Sequence, residues 1–171
     1  ALFEVGGRPP ALIAAYETSD LAAFHRHYYA EEADPPELWT ATYDRLDIGS
    51  LPACAGRILE HPNDLLLQPG AIQLVVRVLP AQGWHPRHIA GLIRSRYERP
   101  YGWLADFHFH EATIRSEVYT RIFAGLIAVG TDQMVDFNCT STQEKYLCPG
   151  TGCPWNLEAL RTAAQSGGGH G

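Results

Sequence analysis

Three of the four cysteines in this chain fall within the stretch CTSTQEKYLCPGTGC, from Cys139 to Cys153, and the fourth, Cys54, stands far upstream in LPACAGRILEH. The late three are spaced Cys139-x8-Cys148-x4-Cys153, and Cys54 precedes Cys139 by 85 positions. Thiolates are soft metal ligands, so three chemistries compete for such a set. Disulfides are disfavoured: a chain of 171 residues has core enough to fold without staples, and no secretory signal is visible. Structural zinc prefers knuckles with only roughly two to four residues between cysteines, and only Cys148 and Cys153 come near that. A [4Fe–4S] cube takes one thiolate per iron and is wide enough to accept ligands from distant segments. Proline directly follows both Cys148 and Cys153, as in many cluster motifs. A buried, inert Cys54 is the plain alternative, but three incidental cysteines in one loop are a poor match to chance. The cube is the preferred reading of Cys54, Cys139, Cys148 and Cys153, with zinc as the alternative.

A second constellation lies in HPRHIAGLIRSRYERPY, residues 85–101. Arg87, Arg94, Arg96 and Arg99 stand against Glu98, interleaved with Tyr97 and Tyr101. Arginine with aromatic rings suits a single-strand groove, because charge follows phosphates and rings stack on bases. The same segment would also serve as the second helix of a helix-turn-helix around Gly83, or as an ordinary solvated helix face. The segment DFHFHEA offers His108, His110 and Glu111, but no third metal ligand is fixed by spacing, and capping or core packing explains them equally well. HRHYY at 25–29 is weaker still. Trp84, Trp103 and Trp155 read as core residues or as cover over a cluster. No phosphate loop, nucleophile elbow or paired-carboxylate motif is present, so no complete active site is visible.

These residues must be carried by helices. In AIQLVVRVLPAQG, Ile72, Leu74, Val75, Val76, Val78 and Leu79 make a segment apolar on most sides, which reads as a buried helix although its β-branched run would suit a strand. Gly83 ends it, and Pro86 at a first helical position opens the next, with Ile89, Leu92 and Ile93 inward. In EATIRSEVYTRIFAGLIAV, Ile114, Val118, Ile122 and Leu126 recur every four residues before Gly130 stops the helix. LPACAGRILE and NLEALRTAAQ are short helices. In the first third, Leu12, Ala15 and Tyr16, then Leu21, Phe24 and Tyr28, have helical spacing, with Ser19 or Asp20 as a cap between them. Pro35-Pro36 ends that piece, and PPELWTATYDRL opens another short helix with Leu38, Trp39, Tyr43 and Leu46 inward.

Composition sets limits on function. The net charge of −6 is carried entirely by residues 1–50, which hold nine acids and three bases. An acidic chain is not a natural polyanion binder, so any nucleic-acid role rests on a local patch. No run of about 18 apolar residues is present, so no membrane partner is expected. No basic segment leads into an apolar stretch, so no signal peptide is expected either, and the location expected is cytoplasmic.

The succession LPACAGRILE, QPGAIQLVVRVLPAQGWHPRHIAGLI and FNCTSTQEKYLCPGTGC resembles the C-terminal iron–sulfur domain of the large subunit of archaeal and eukaryotic DNA primase. The resemblance covers roughly residues 50–160, and Cys54, Cys139, Cys148 and Cys153 fall in order on its four ligand places. Gln68 and Ile72 stand where that family often carries basic residues. The resemblance implies a mainly α fold, a helical bundle enclosing a four-cysteine [4Fe–4S] cluster. It implies a non-catalytic module that helps bind nucleic acid in a priming or replication/repair system, with a single strand or primer–template junction as partner. The organisation expected is an acidic helical segment at 1–48, an iron–sulfur domain at 49–163 and a flexible tail at 164–171. The alternative is a structural or electron-transfer cluster protein, free of nucleic acid, that docks a protein partner through the acidic N-terminal third.

Overall fold

The computed structural model describes residues 10–29, 34–62, 68–97, 109–150 and 152–167. Among these residues the chain is mainly helical, and no strand is present. The helices are α1 (Pro10–Glu17), α2 (Asp20–Tyr28), α3 (Ala53–Glu60), α4 (Pro69–Ala81), α5 (Pro86–Tyr97), α6 (Phe109–Ala128), α7 (Cys139–Glu144) and α8 (Leu157–Gly167). Three 3-10 turns lie between α2 and α3. None of the described helices is long and apolar enough to cross a membrane. The last helix reaches Gly167, into the stretch expected to be tail.

α4 is the hub. Ala71, Ile72, Leu74, Val75, Val76, Arg77, Val78 and Leu79 are all buried. Its valine-rich run becomes a helix because a segment surrounded by protein must satisfy its own backbone polar groups, and a helix does so internally. Pro69 stands at its start, where a missing N–H costs nothing. Gly83, at φ 83°, turns the chain out of the helix, and the Trp84 N–H donates back to the Leu79 carbonyl at 3.1 Å. α4 packs against α3, α5, α6 and α8. Burial of Ile89, Leu92 and Ile93 shows the α5 face predicted from spacing.

The long helix α6 contacts α2, α4 and α5. Its buried face differs from the Val118 stripe read from the sequence. Val118 is exposed, whereas Thr120 and Ala124 are buried and Tyr119, Phe123 and Ile127 pack on the core. Two apolar rows of four-residue period exist in this helix, and the aromatic-bearing row covers more area, so it wins the core. Gly125 sets the docking of α2: a Cβ built there would stand 2.7 Å from the Phe24 ring. Ser19 caps α2 as expected, accepting from the Ala22 N–H at 3.2 Å.

The segment predicted as a helix from PPELWTATYDRL instead forms the 3-10 turns Pro36–Leu38 and Tyr43–Arg45. Side-chain bonds to backbone take the place of a regular ladder there. Trp39 Nε1 donates to the Asp34 carbonyl, and the Tyr43 hydroxyl accepts from the Asp34 N–H, both at 2.8 Å. Trp39 and Tyr43 are buried in the same core as α3 and α4, and Leu46 packs against it; Leu38, expected inward, is exposed. The acidic third thus supplies two large aromatic side chains to the main core.

The packing of α2 on α6 yields a test. Gly125→Ala forces the Phe24 ring aside and is expected to cost about 1–3 kcal/mol, as overpacking does. A thermal melt reads the loss, and Phe24→Leu in the same chain should recover part of it.

Candidate metal centre

Cys54 is the second residue of α3, entered through Pro52. The helix is anchored by Ala55, Ile58 and Leu59, which are fully buried, so the position of its first turn is fixed by the core. Cys139 opens α7, where Asn138 accepts from the Ser141 N–H at 2.8 Å. Phe137 and Thr142 are buried on either side of Cys139, and Leu147 is buried immediately before Cys148. Beyond Cys148 the chain turns through Gly150 at φ 116° and Gly152 at φ 95°, a backbone conformation that side chains disfavour. Cys153 then leads to Trp155, whose carbonyl lies 4.0 Å from the Cys139 sulfur.

All four cysteines line one cavity of about 200 Å³. Pro52, Thr142, Gln143, Gly150, Gly152, Trp155 and Leu157 complete its walls. Among the described residues that line it, no carboxylate, imidazole or amine stands beside the thiols. Burial pushes the Cys54 thiol up to about 11; the Ala55 N–H opposes this, and negative charge on Cys148 and Cys153 adds to it. That mutual repulsion across the cavity is what bound cationic metal would reverse. Among the described residues, no three His, Cys, Asp or Glu side chains are grouped so as to hold a metal ion.

The late loop is held against the hub by a polar network that the sequence reading missed. Arg77, in the middle of α4, donates from Nε and Nη2 to the two Asp132 carboxylate oxygens at 3.0 and 2.8 Å, and from Nη1 to Asp136 at 2.8 Å. Asp132 also accepts from the Met134 N–H at 2.8 Å, and Lys145 Nζ bonds the other Asp136 oxygen. From α8, Arg161 Nη1 donates to the Met134 carbonyl at 3.1 Å. Residues 132–136, just ahead of Cys139, are thereby bound to α4 on one side and α8 on the other. The available signal was an arginine inside a largely apolar helix, since a buried guanidinium demands partners.

The residues read as a nucleic-acid face are distributed differently. Arg96 is buried and Arg94 half-buried, and neither is without a partner. The side chains of Arg87 and Tyr97, together with Arg99 and Tyr101, lie outside the described residues, as do Trp103 and the side chains of His108, His110 and Glu111. Ile72 is fully buried and Gln68 is an exposed N-cap, so neither place offers a cation. His88, from the same helix, pairs instead with Asp34 of the acidic third at 3.7 Å. Trp84 stacks near Tyr43 with ring centroids 6.3 Å apart. Trp155 lines the cysteine cavity.

In comparisons with protein-family models, curated proteins and solved structures, nothing matches this chain.

Two outcomes follow from the network. Arg77→Met strands Asp132 in a largely buried position and is expected to cost about 3–5 kcal/mol, measured by denaturant unfolding; Arg77→Lys should recover little, because an ammonium cannot span both carboxylates. Asp136 is held below its usual 3.8, first by the Lys145 hydrogen bond and then by the Arg77 charge. With its folded pKa depressed, its contribution is complete above the unfolded value and is lost as pH falls through the folded one. The stability difference between the parent and Asp136→Asn should therefore shrink as acid unfolding is followed below pH 3.8.

Proposed function

We propose that this chain is a [4Fe–4S] domain in which Cys54, Cys139, Cys148 and Cys153 each hold one iron. We further propose that it serves as an accessory nucleic-acid-binding module of a priming or replication/repair system. The observation that carries the reading is the single cavity lined by four thiols and, among the described residues, by no competing ionisable side chain. Its volume, about 200 Å³, is several times the roughly 30 Å³ that one water occupies. A single zinc requires its sulfurs about 2.3 Å from one point, whereas a cube takes one thiolate at each of its irons. When bound, such a cluster supplies four iron–thiolate bonds and a metal–sulfide core that can exchange an electron.

The chain's own contribution is positional. α3 presents Cys54 from the core side, the network around Arg77 sets the approach to Cys139, and Gly150 and Gly152 bend the loop so that Cys148 and Cys153 share the cavity. The ordered cysteine set, shared with the primase large-subunit domain it resembles, supports the nucleic-acid role. A second reading has its own support. Burial of Arg96 and the His88–Asp34 pair turn part of the arginine-rich helix toward the protein interior and the acidic third. That favours a structural or electron-transfer cluster with a protein partner.

Anaerobic purification tests the metal. About four irons and matching sulfide per chain, with broad absorption near roughly 400 nm, are expected; a colourless protein with stoichiometric zinc would reject the cube. Cys54→Ser should lose the iron and lower the melting temperature of the whole domain. By analogy with a long-loop cross-link, joining α3 to the late loop is worth about 4–5 kcal/mol.

A salt series with labelled single strand separates the two roles. If nucleic acid binds, affinity falls with salt at a slope near −0.7 per phosphate neutralised, and Arg94→Ala reduces that slope by about 0.7. Absence of binding at low salt selects the protein-docking reading.

A further inference from the structure

α1 buries none of its residues, although its sequence PALIAAYE is mostly apolar. Leu12 is 61% exposed, Ile13 43% and Tyr16 43%, and Leu21 at the start of α2 is 55% exposed. Leu12, Ile13 and Tyr16, together with Glu17, line a shallow groove of about 470 Å³. A helix of eight residues is too short to be stable in water on its own and normally relies on burying an apolar face. Here the face points outward. The Tyr16 hydroxyl meets His25 Nδ1 of α2 at 2.8 Å, and the Ser19 hydroxyl donates to the Tyr16 carbonyl at 2.6 Å. Grouped exposed apolar side chains beside charged ones mark interaction sites rather than ordinary surface.

We propose that this α1–α2 face is a docking site for a basic amphipathic helix of a partner protein. The charge around it selects the occupant. Glu17 forms part of the groove and the exposed Asp20 opens α2 next to it in the chain, while the exposed Arg26 lies toward the other end of that helix. A helix with an apolar stripe flanked by Lys or Arg matches both features, as in helix-in-groove recognition. A second copy of this chain would bring only one arginine of this face, Arg26, against Glu17 and Asp20. An anionic membrane would repel the same carboxylates, and so would nucleic acid. The inference specifies the partner of the acidic third and does not depend on what the cysteines hold.

The test uses the full chain and a labelled helical peptide of about 14 residues, with leucine at i, i+3, i+4 and i+7 and lysine elsewhere. An isomer with glutamate in place of lysine is the control. Binding of the lysine peptide, weakened by salt, is expected, with slowed amide exchange confined to α1 and α2. Leu12→Ser/Ile13→Ser should weaken it by at least about tenfold through lost apolar contact. Glu17→Lys, an exposed change that leaves the apolar residues in place, should weaken the lysine peptide about 2–5-fold and strengthen the glutamate peptide. Equal binding of both peptides overturns the proposal, as does indifference to all three substitutions. A concentration-dependent dimer abolished by Leu12→Ser/Ile13→Ser would assign the face to a second copy instead. Iron content is measured on the same samples, so a chain without a cluster that still binds the peptide refutes only the cluster reading.

Discussion

Everything near the cysteines depends on one buried guanidinium. Arg77 sits in the most enclosed helix of the fold with only 6% of its side chain exposed, where an unpaired cation would be strongly unfavourable. Its partners, Asp132 and Asp136, belong to the irregular segment between α6 and α7, which also buries Met134 and Phe137 in the core. Pairing therefore does two things together. It makes the charge tolerable inside α4, and it gives a loop without regular structure a defined seat on the rigid part of the molecule. Planar, multi-donor geometry matters here, because both carboxylates are engaged by one side chain.

From that seat the cysteine cavity follows step by step. Phe137, Thr142 and Leu147 enter the core once the loop is seated. They leave Cys139 and Cys148 facing the start of α3, where Cys54 waits on a helix held by its own buried residues. The two left-handed glycines then return the chain to Cys153 and Trp155. Apolar burial supplies most of the stability, while the ion pairs and the glycines supply direction. A site assembled this way is as precise as its supporting contacts, and those come from α4 and α8 rather than from the cysteine loop.

Much of this was legible in the chain. The helices from α3 to α6 were readable because apolar periodicity, Pro at helix starts and Gly at stops agree with one another. The four cysteines stood out because three of them crowd one short loop. Other features were not readable. The two apolar rows of α6 have the same period, so only the area each buries against its neighbours selects one. The turns at 36–45 mimic a helical pattern, yet Trp39 and Tyr43 find better partners in the Asp34 backbone. Arg94 and Arg96 are neighbours in sequence spacing but differ in burial, because residues two apart on a helix point in different directions.

The sequence by itself determined the helical class, the identity of the thiols and the acidity of the first third, since these depend on residue type and on spacing within one segment. Only the tertiary structure decided that Cys54 shares a cavity with residues 85 and more positions away, that Arg77 reaches Asp132 and Asp136, and that the apolar face of α1 is left outside. The physical reason is the same in each case. Local pattern states what a segment can bury or bond, but which surface meets which is a competition among all segments, settled by the area and charge that each pairing removes from water.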